Sequence, residues 1–75
     1  MKSILIQAMR SYLKGNIDKH VANIKLHLSN SVGVAGHSDH IETIEKELGI
    51  IAEFEDKLSV LEKYFGKGDK GVING

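Results

Sequence analysis

The stretch DHIETIEKELGIIAEFEDKLSVLEKYF (39–65) decides the fold class of this chain. Its large apolar residues recur three and four positions apart, which is the period of an amphipathic α-helix. They are Ile41, Ile44, Leu48, Ile51, Phe54, Leu58, Leu61 and Phe65. Ser38 or Asp39 can cap the first turn, and Gly66 follows as a stop signal. The stretch therefore predicts one long helix over 39–65.

The segment 2–28 has the same period and predicts a second helix of matching length. Its apolar stripe consists of Ile6, Met9, Leu13, Ile17, Val21, Ile24 and Leu28. At the standard rise, two helices of about 27 residues are each roughly 40 Å long. The loop between them, 29–38, is long enough only to reverse the chain. We therefore predict an all-α antiparallel helical hairpin over 1–65, followed by a flexible Gly-rich tail, 66–75.

Size and composition limit how such a hairpin can be stabilised. The chain has 75 residues and no Cys, so disulfides and thiolate metal sites are excluded. A chain this short buries a small core, and natural proteins of this size often add a partner chain. The longest apolar runs fall well short of the roughly 20 residues that span a bilayer. We expect a cytoplasmic protein without a membrane segment.

Charge and stripe width both favour association between hairpins. The first helix carries five basic residues against one acid, a net of +4, and the second carries eight acids against three lysines, a net of −5. A lone hairpin gives each helix one neighbour, so wide apolar stripes stay partly exposed. We expect Leu5, Tyr12, Ile50 and Phe54 to form an oligomer interface. The favoured assembly is a homodimer that makes a four-helix bundle.

Four histidines raise the question of a metal site. His37 and His40 are three residues apart, but the chain lacks H-E-x-x-H, so this pair is a weak candidate beside a role in the loop and helix cap. The loop and cap residues Gly33, Gly36, His37, Ser38 and Asp39 could face an anion at the helix N-terminus, yet a structured turn explains them better. We predict no cofactor.

Catalysis has no support in the pattern of carboxylates or serines. Glu42 with Glu45, and Glu53 with Glu55 or Asp56, fall on the predicted solvent face, whereas acid–base catalysis needs carboxylates in a pocket that perturbs their protonation. Gly15 and Gly49 interrupt the helices, and either close helix approach or simple tolerance explains them. We predict that the chain is not an enzyme.

The connector and its flanks resemble a family of small helical proteins encoded by T4-type tailed phages, especially marine ones. The resemblance covers about 15–65 and rests on a spaced pattern. The matching positions are His20, Ala22, Asn23, Ile24, Leu28, Asn30, Val32, Gly33, His37, Asp39 and the Lys63-Tyr64-Phe65 end. It implies a phage origin, with the host cytoplasm or the virion as the location, and a phage or host protein as a further partner. It transfers no activity.

Together these observations predict a non-enzymatic, self-associating structural or interaction protein. The alternative is a nucleic-acid-binding accessory of replication or recombination that uses the basic first helix. Zero net charge and four Tyr and Phe residues in all weigh against that alternative.

Overall fold

Two helices that fold back on each other make up the part of the chain that the computed structural model describes, residues 2–30 and 37–66. Helix α1 spans Lys2–Asn30 and helix α2 spans His37–Leu61, with one widened π-helical turn, Glu62–Gly66, continuing from α2. The helices pack along each other. Contacts run antiparallel, because Arg10 reaches Glu62, His20 reaches Glu47 and His27 reaches His40. The predicted all-α hairpin is confirmed.

The helix ends differ slightly from the predicted ones. α1 continues two residues past 28, and α2 begins two residues before 39. The segment between the two helices, 31–36, is therefore shorter than the predicted loop, 29–38. Ser38 and Asp39 therefore lie inside the first turn of α2, where an acid still favours the positive end of the helix dipole. Gly33, Gly36 and the tail after Gly66 lie outside the described residues, as do the side chains of His37 and Ser38.

The hairpin has a thin core. Among the described residues Leu13 is the one buried large side chain, at 3% exposure. The remaining contact residues are half-buried, including Ile17 and Ile24 of α1 and Ile51 and Leu58 of α2. Since each helix contacts a single neighbour, no side chain outside that narrow seam can be covered. The pairing therefore encloses one row of residues and leaves both flanks open.

Part of each predicted apolar stripe points away from the partner helix. Met9 and Leu28 of α1 and Ile41 and Leu48 of α2 are exposed, although the period placed them on the packed side. The seam positions beside Ile41 and Leu48 belong to their chain neighbours His40 and Glu47, which are half-buried. The helices are thus rotated so that polar residues occupy part of the seam, while some apolar residues of each stripe face outward.

Candidate functional site

Three polar contacts cross the seam at intervals along the hairpin. Nearest the free ends, Arg10 donates to both carboxylate oxygens of Glu62, with Nε at 2.5 Å from Oε2 and Nη2 at 3.2 Å from Oε1. Such a two-pronged guanidinium–carboxylate contact fixes orientation as well as distance. It joins the third turn of α1 to the π-helical turn. The seam at this end is therefore closed by an ion pair.

The middle of the seam holds a carboxylate bound from two sides. Glu47 Oε1 lies 2.5 Å from His20 Nδ1, and the Asn23 amide donates to both Glu47 oxygens at 3.3 and 3.4 Å. The His20 ring also stacks on Phe54, with the centroids 6.3 Å apart and the planes 14° from parallel. His20 and Glu47 are only 13% and 15% exposed, so water competes weakly for this contact. We call His20, Asn23 and Glu47 the clasp.

The hydrogen bond from His20 lowers the pKa of Glu47 below its ordinary value, and it outweighs the opposing effect of burial. The Asn23 hydrogen bond and the positive potential of His20 and His27 act in the same direction. The Glu47 carboxylate therefore stays ionised at neutral pH, so both of its oxygens accept hydrogen bonds. The clasp holds a fixed negative charge between the helices.

At the loop end, His27 and His40 face each other with their Nδ1 atoms 3.0 Å apart. Their ring centroids are 5.2 Å apart, which is about the largest separation possible for two imidazole rings whose Nδ1 atoms are this close. The two centroids and the two Nδ1 atoms therefore lie nearly on one line, with the nitrogens pointing at each other. Two imidazoles that share a metal ion instead aim at a common third point. The geometry is that of an N–H···N hydrogen bond.

This pairing changes the candidate metal site. His40, predicted together with His37, is bonded to His27 across the seam, whereas the side chain of His37 lies outside the described residues. Within 2–30 and 37–66, no group of three or more His, Cys, Asp or Glu residues is arranged to hold a metal ion. The sequence did carry a signal for the seam contacts. His20 and His27 are seven residues apart, and so are His40 and Glu47, a spacing that places each pair on one helix face.

An apolar flank runs beside the seam near the free ends. Tyr12 packs edge-on against Phe54, with centroids 6.3 Å apart. Next to them an open groove of about 280 Å³ is lined by Met9, Leu13, Asp56, Lys57, Val60, Leu61 and Phe65. Leu5 lies on the same side of α1 as Met9 and Tyr12, because residues four and seven apart share a helix face. We call Leu5, Met9, Tyr12, Val60 and Phe65 the apolar flank; their exposures range from 45% to 68%.

The four predicted interface residues fall into two groups. Tyr12 and Phe54 are in contact, and Leu5 is exposed beyond them on the same side of α1. Ile50, one turn before Phe54, is half-buried beside the seam. Met9, Val60 and Phe65 were missed as members of this surface. The register of the two helices, which the sequence pattern does not reveal, brings them together.

The acidic residues of the predicted solvent face are exposed. Glu42, Glu45, Glu55 and Asp56 are all open to water. Glu53 accepts a hydrogen bond from Lys57, one turn further, at 2.9 Å, which lowers the pKa of Glu53 and raises that of Lys57. The Lys57 ammonium also lies 5.3 Å from the centre of the Phe54 ring. These contacts are ordinary surface pairings at the edge of the apolar flank.

The fold and these contacts define a helical hairpin with a polar seam and an uncovered apolar flank. No helix among the described residues combines the length and apolar character needed to cross a membrane. No protein-family model, curated protein or solved structure matches the chain.

Proposed function

We propose that this chain is a non-enzymatic, self-associating structural or interaction protein, and that two copies pack through the apolar flank into a four-helix bundle. One observation carries the proposal. Eleven large apolar side chains of the described residues are 45% to 68% exposed, while one is buried, and five of the eleven form the apolar flank. Soluble monomers rarely expose so many apolar side chains while burying so few, since each exposed side chain forgoes the free energy of burial. A second copy is the partner always present at equal concentration.

The dimensions suit such a dimer. One whole side of the hairpin, of which the apolar flank is the part near the free ends, measures roughly 700–800 Å² for two helices about 9 Å apart and about 40 Å long. A standard stable interface removes about 800 Å² from each partner. In a two-fold dimer the same surface meets itself, so each residue of the flank contributes twice. The excess of basic residues on α1 and of acids on α2 favours placing α1 of one copy against α2 of the other.

The test compares two leucine-sized side chains with equal exposure. Leu5 lies on the apolar flank and Ile41 lies near the opposite end of the hairpin, and both are 68% exposed. We expect L5E to weaken dimerisation at least tenfold in sedimentation equilibrium, because it would bury a carboxylate in the interface. I41E is the matched control and should dimerise like the parent. Equal weakening by both variants would reject the flank, and a monomeric parent at all concentrations would reject self-association.

Nucleic-acid binding stays as the second candidate, because Lys14, Lys19 and Lys25 are exposed on α1. It is less favoured because Arg10 is engaged by Glu62 and because Lys19 lies on a different side of the helix from Lys14 and Lys25. Binding to single- or double-stranded DNA that weakens steeply with salt, and that is lost on changing the three lysines to Gln, would support it. No binding at micromolar protein in low salt would eliminate it.

We also propose a phage origin and a cytoplasmic location in the infected host, on the strength of the resemblance in the connector and the Lys63-Tyr64-Phe65 end. Neighbouring genes that encode tailed-phage proteins would support the origin. A genome context without phage genes would contradict it.

A further inference from the structure

We propose that the seam between α1 and α2 contains a proton-operated hinge, in which mild acidification breaks the His27–His40 bond at the loop end while the clasp of His20, Asn23 and Glu47 continues to hold the middle. The inference is independent of self-association, because both contacts lie within one chain. It rests on two histidine contacts of opposite character, two helical turns apart on the same pair of helices.

The His27–His40 contact has room for one proton on the line between its two nitrogens. At 3.0 Å, one Nδ1 donates an N–H and the other must supply a lone pair. Two neutral rings satisfy this, and so does one imidazolium beside one neutral ring. When both rings are cations, two N–H groups meet head-on and two positive charges lie side by side, so the bond is lost. Histidine is the side chain whose charge changes most readily between about pH 5 and 8.

Protonation has the opposite effect on the clasp, because it strengthens the contact between His20 and Glu47. Protonated His20 is a charged donor to the Glu47 carboxylate, and charge-assisted hydrogen bonds are stronger than neutral ones. Glu47 stays ionised at pH 5.5, because the hydrogen bonds from His20 and Asn23 hold its pKa below the ordinary value. Acid that charges all three histidines therefore strengthens the middle contact and breaks the outer one. The helices should separate from the loop end inward and stop at the clasp.

The other ionisable groups near the pair do not cancel this effect. Among the described residues, Glu47 on α2 and His20 on α1 act on this part of the seam. Glu47 attracts a charged His27, so it favours the first proton at the pair but does not separate the two charges that the second proton creates. Asp39 precedes His40 in the chain, but it is exposed, so solvent screens its attraction. In the part of the chain that the structure describes, neither His27 nor His40 forms an ion pair with a carboxylate, so a second cation at the pair is not neutralised by direct contact.

Hydrogen exchange of single backbone amides, followed by NMR, can locate the opening. Rates at pH 7.5 and pH 5.5, each corrected for the intrinsic rate at that pH, give protection factors for both ends of the seam. For residues 24–28 and 41–44 we expect protection to fall about three- to tenfold at the lower pH, the factor that corresponds to loss of one hydrogen bond. Residues 16–20 and 47–51 should keep or gain protection. A uniform change along the hairpin, or none, would overturn the proposal.

Two variants separate the contacts. H40Q keeps a hydrogen-bonding amide opposite His27 but cannot take up the second proton, so the drop at the loop end should disappear. H20Q removes the charged donor of the clasp that stops the opening, so the loop-end drop should remain and should extend inward in acid to residues 16–20 and 47–51. An unchanged drop in H40Q would refute the hinge. If H40Q does not fold, the NMR signals of the histidine rings in the parent provide the test. Amide protection at the loop end must be lost over the pH range in which His27 and His40 both become charged. A loss of protection that follows carboxylate protonation instead would refute the hinge.

Discussion

At the scale of single residues, Glu47 explains why the seam differs from its expected form. An acid in a helical pattern is normally assigned to the solvent face, and the period gives the packed side to apolar residues. Glu47 is instead half-buried, because His20 and Asn23 satisfy its oxygens. A buried charge is tolerated only with such partners. The pattern of one helix cannot indicate the partners, since they lie on the other helix.

Replacing Glu47 by Gln should make the stability of the hairpin less sensitive to acid. The pKa of Glu47 is lowered in the folded chain, so this group contributes stability above its unfolded pKa and loses it as the pH falls through the lowered folded value. E47Q should lose about 1 kcal/mol in urea denaturation at pH 7, a figure below the usual range for a hydrogen bond to a charged group because the site is partly hydrated. Parent and variant should converge as the pH falls through the lowered folded-state pKa of Glu47.

E53Q is the control for this measurement. Glu53 also has a lowered pKa, but its partner Lys57 lies one turn away on the same helix and both side chains are more than half exposed. Surface pairs of this kind contribute little to stability. E53Q should therefore be indistinguishable from the parent. An equal loss in E47Q and E53Q would mean that the clasp adds nothing beyond a surface contact.

At the scale of the elements, the sequence predicted the two helices and their antiparallel order well. The three-and-four spacing around Leu13, Ile17 and Ile24, and around Ile51 and Leu58, correctly identifies residues of the contact. Their neighbours Ile41 and Leu48 fit the same period yet face outward. Because the apolar stripe of each helix is wide, its sequence pattern leaves the rotation of the helix about its own axis undetermined by tens of degrees. The contacts of His, Glu and Asn side chains across the two helices then fix that rotation. The widened turn at Glu62–Gly66 has no signal in the sequence that we can identify.

The two glycines within the helices give a prediction at this scale. A Cβ added at Gly15 or Gly49 would have no neighbouring atom within 4 Å, so close packing inside the hairpin does not require either glycine. Alanine is favoured over glycine in a helix interior by about 0.8–1 kcal/mol. G15A and G49A should each raise the free energy of unfolding by about that amount in dilute solution, measured by urea denaturation.

Destabilisation by either alanine would contradict this expectation. It would show that another helix approaches that glycine closely, which a hairpin by itself does not do. The same measurement at high protein concentration therefore also reports on the surface used by a partner. A variant that is stabilised when dilute and destabilised when concentrated would place the glycine in the contact between copies.

At the scale of the whole molecule, the imbalance between one buried and eleven exposed large apolar residues in the described part of the chain predicts that folding and assembly are coupled. When a folded dimer unfolds to two chains, the unfolding midpoint depends on total concentration. Each tenfold increase adds about 1.4 kcal/mol to the apparent stability of the dimer. With about 2.1 cal/mol/K of unfolding entropy per residue, Tm should rise by about 5 °C for each tenfold increase.

Circular dichroism at 222 nm over a thousandfold range of concentration measures this dependence directly. The parent and I41E should follow the same slope, whereas L5E should melt lower, with its deficit greatest in dilute solution. The slope is a stricter criterion than the size of the particle, because association of already stable hairpins moves Tm only at concentrations above its dissociation constant, whereas coupled folding and assembly move Tm over the whole range. A cooperative transition whose midpoint does not depend on concentration would mean that the thin seam, with its clasp and the buried Leu13, stabilises the hairpin without a second copy. The apolar flank would then need a different explanation.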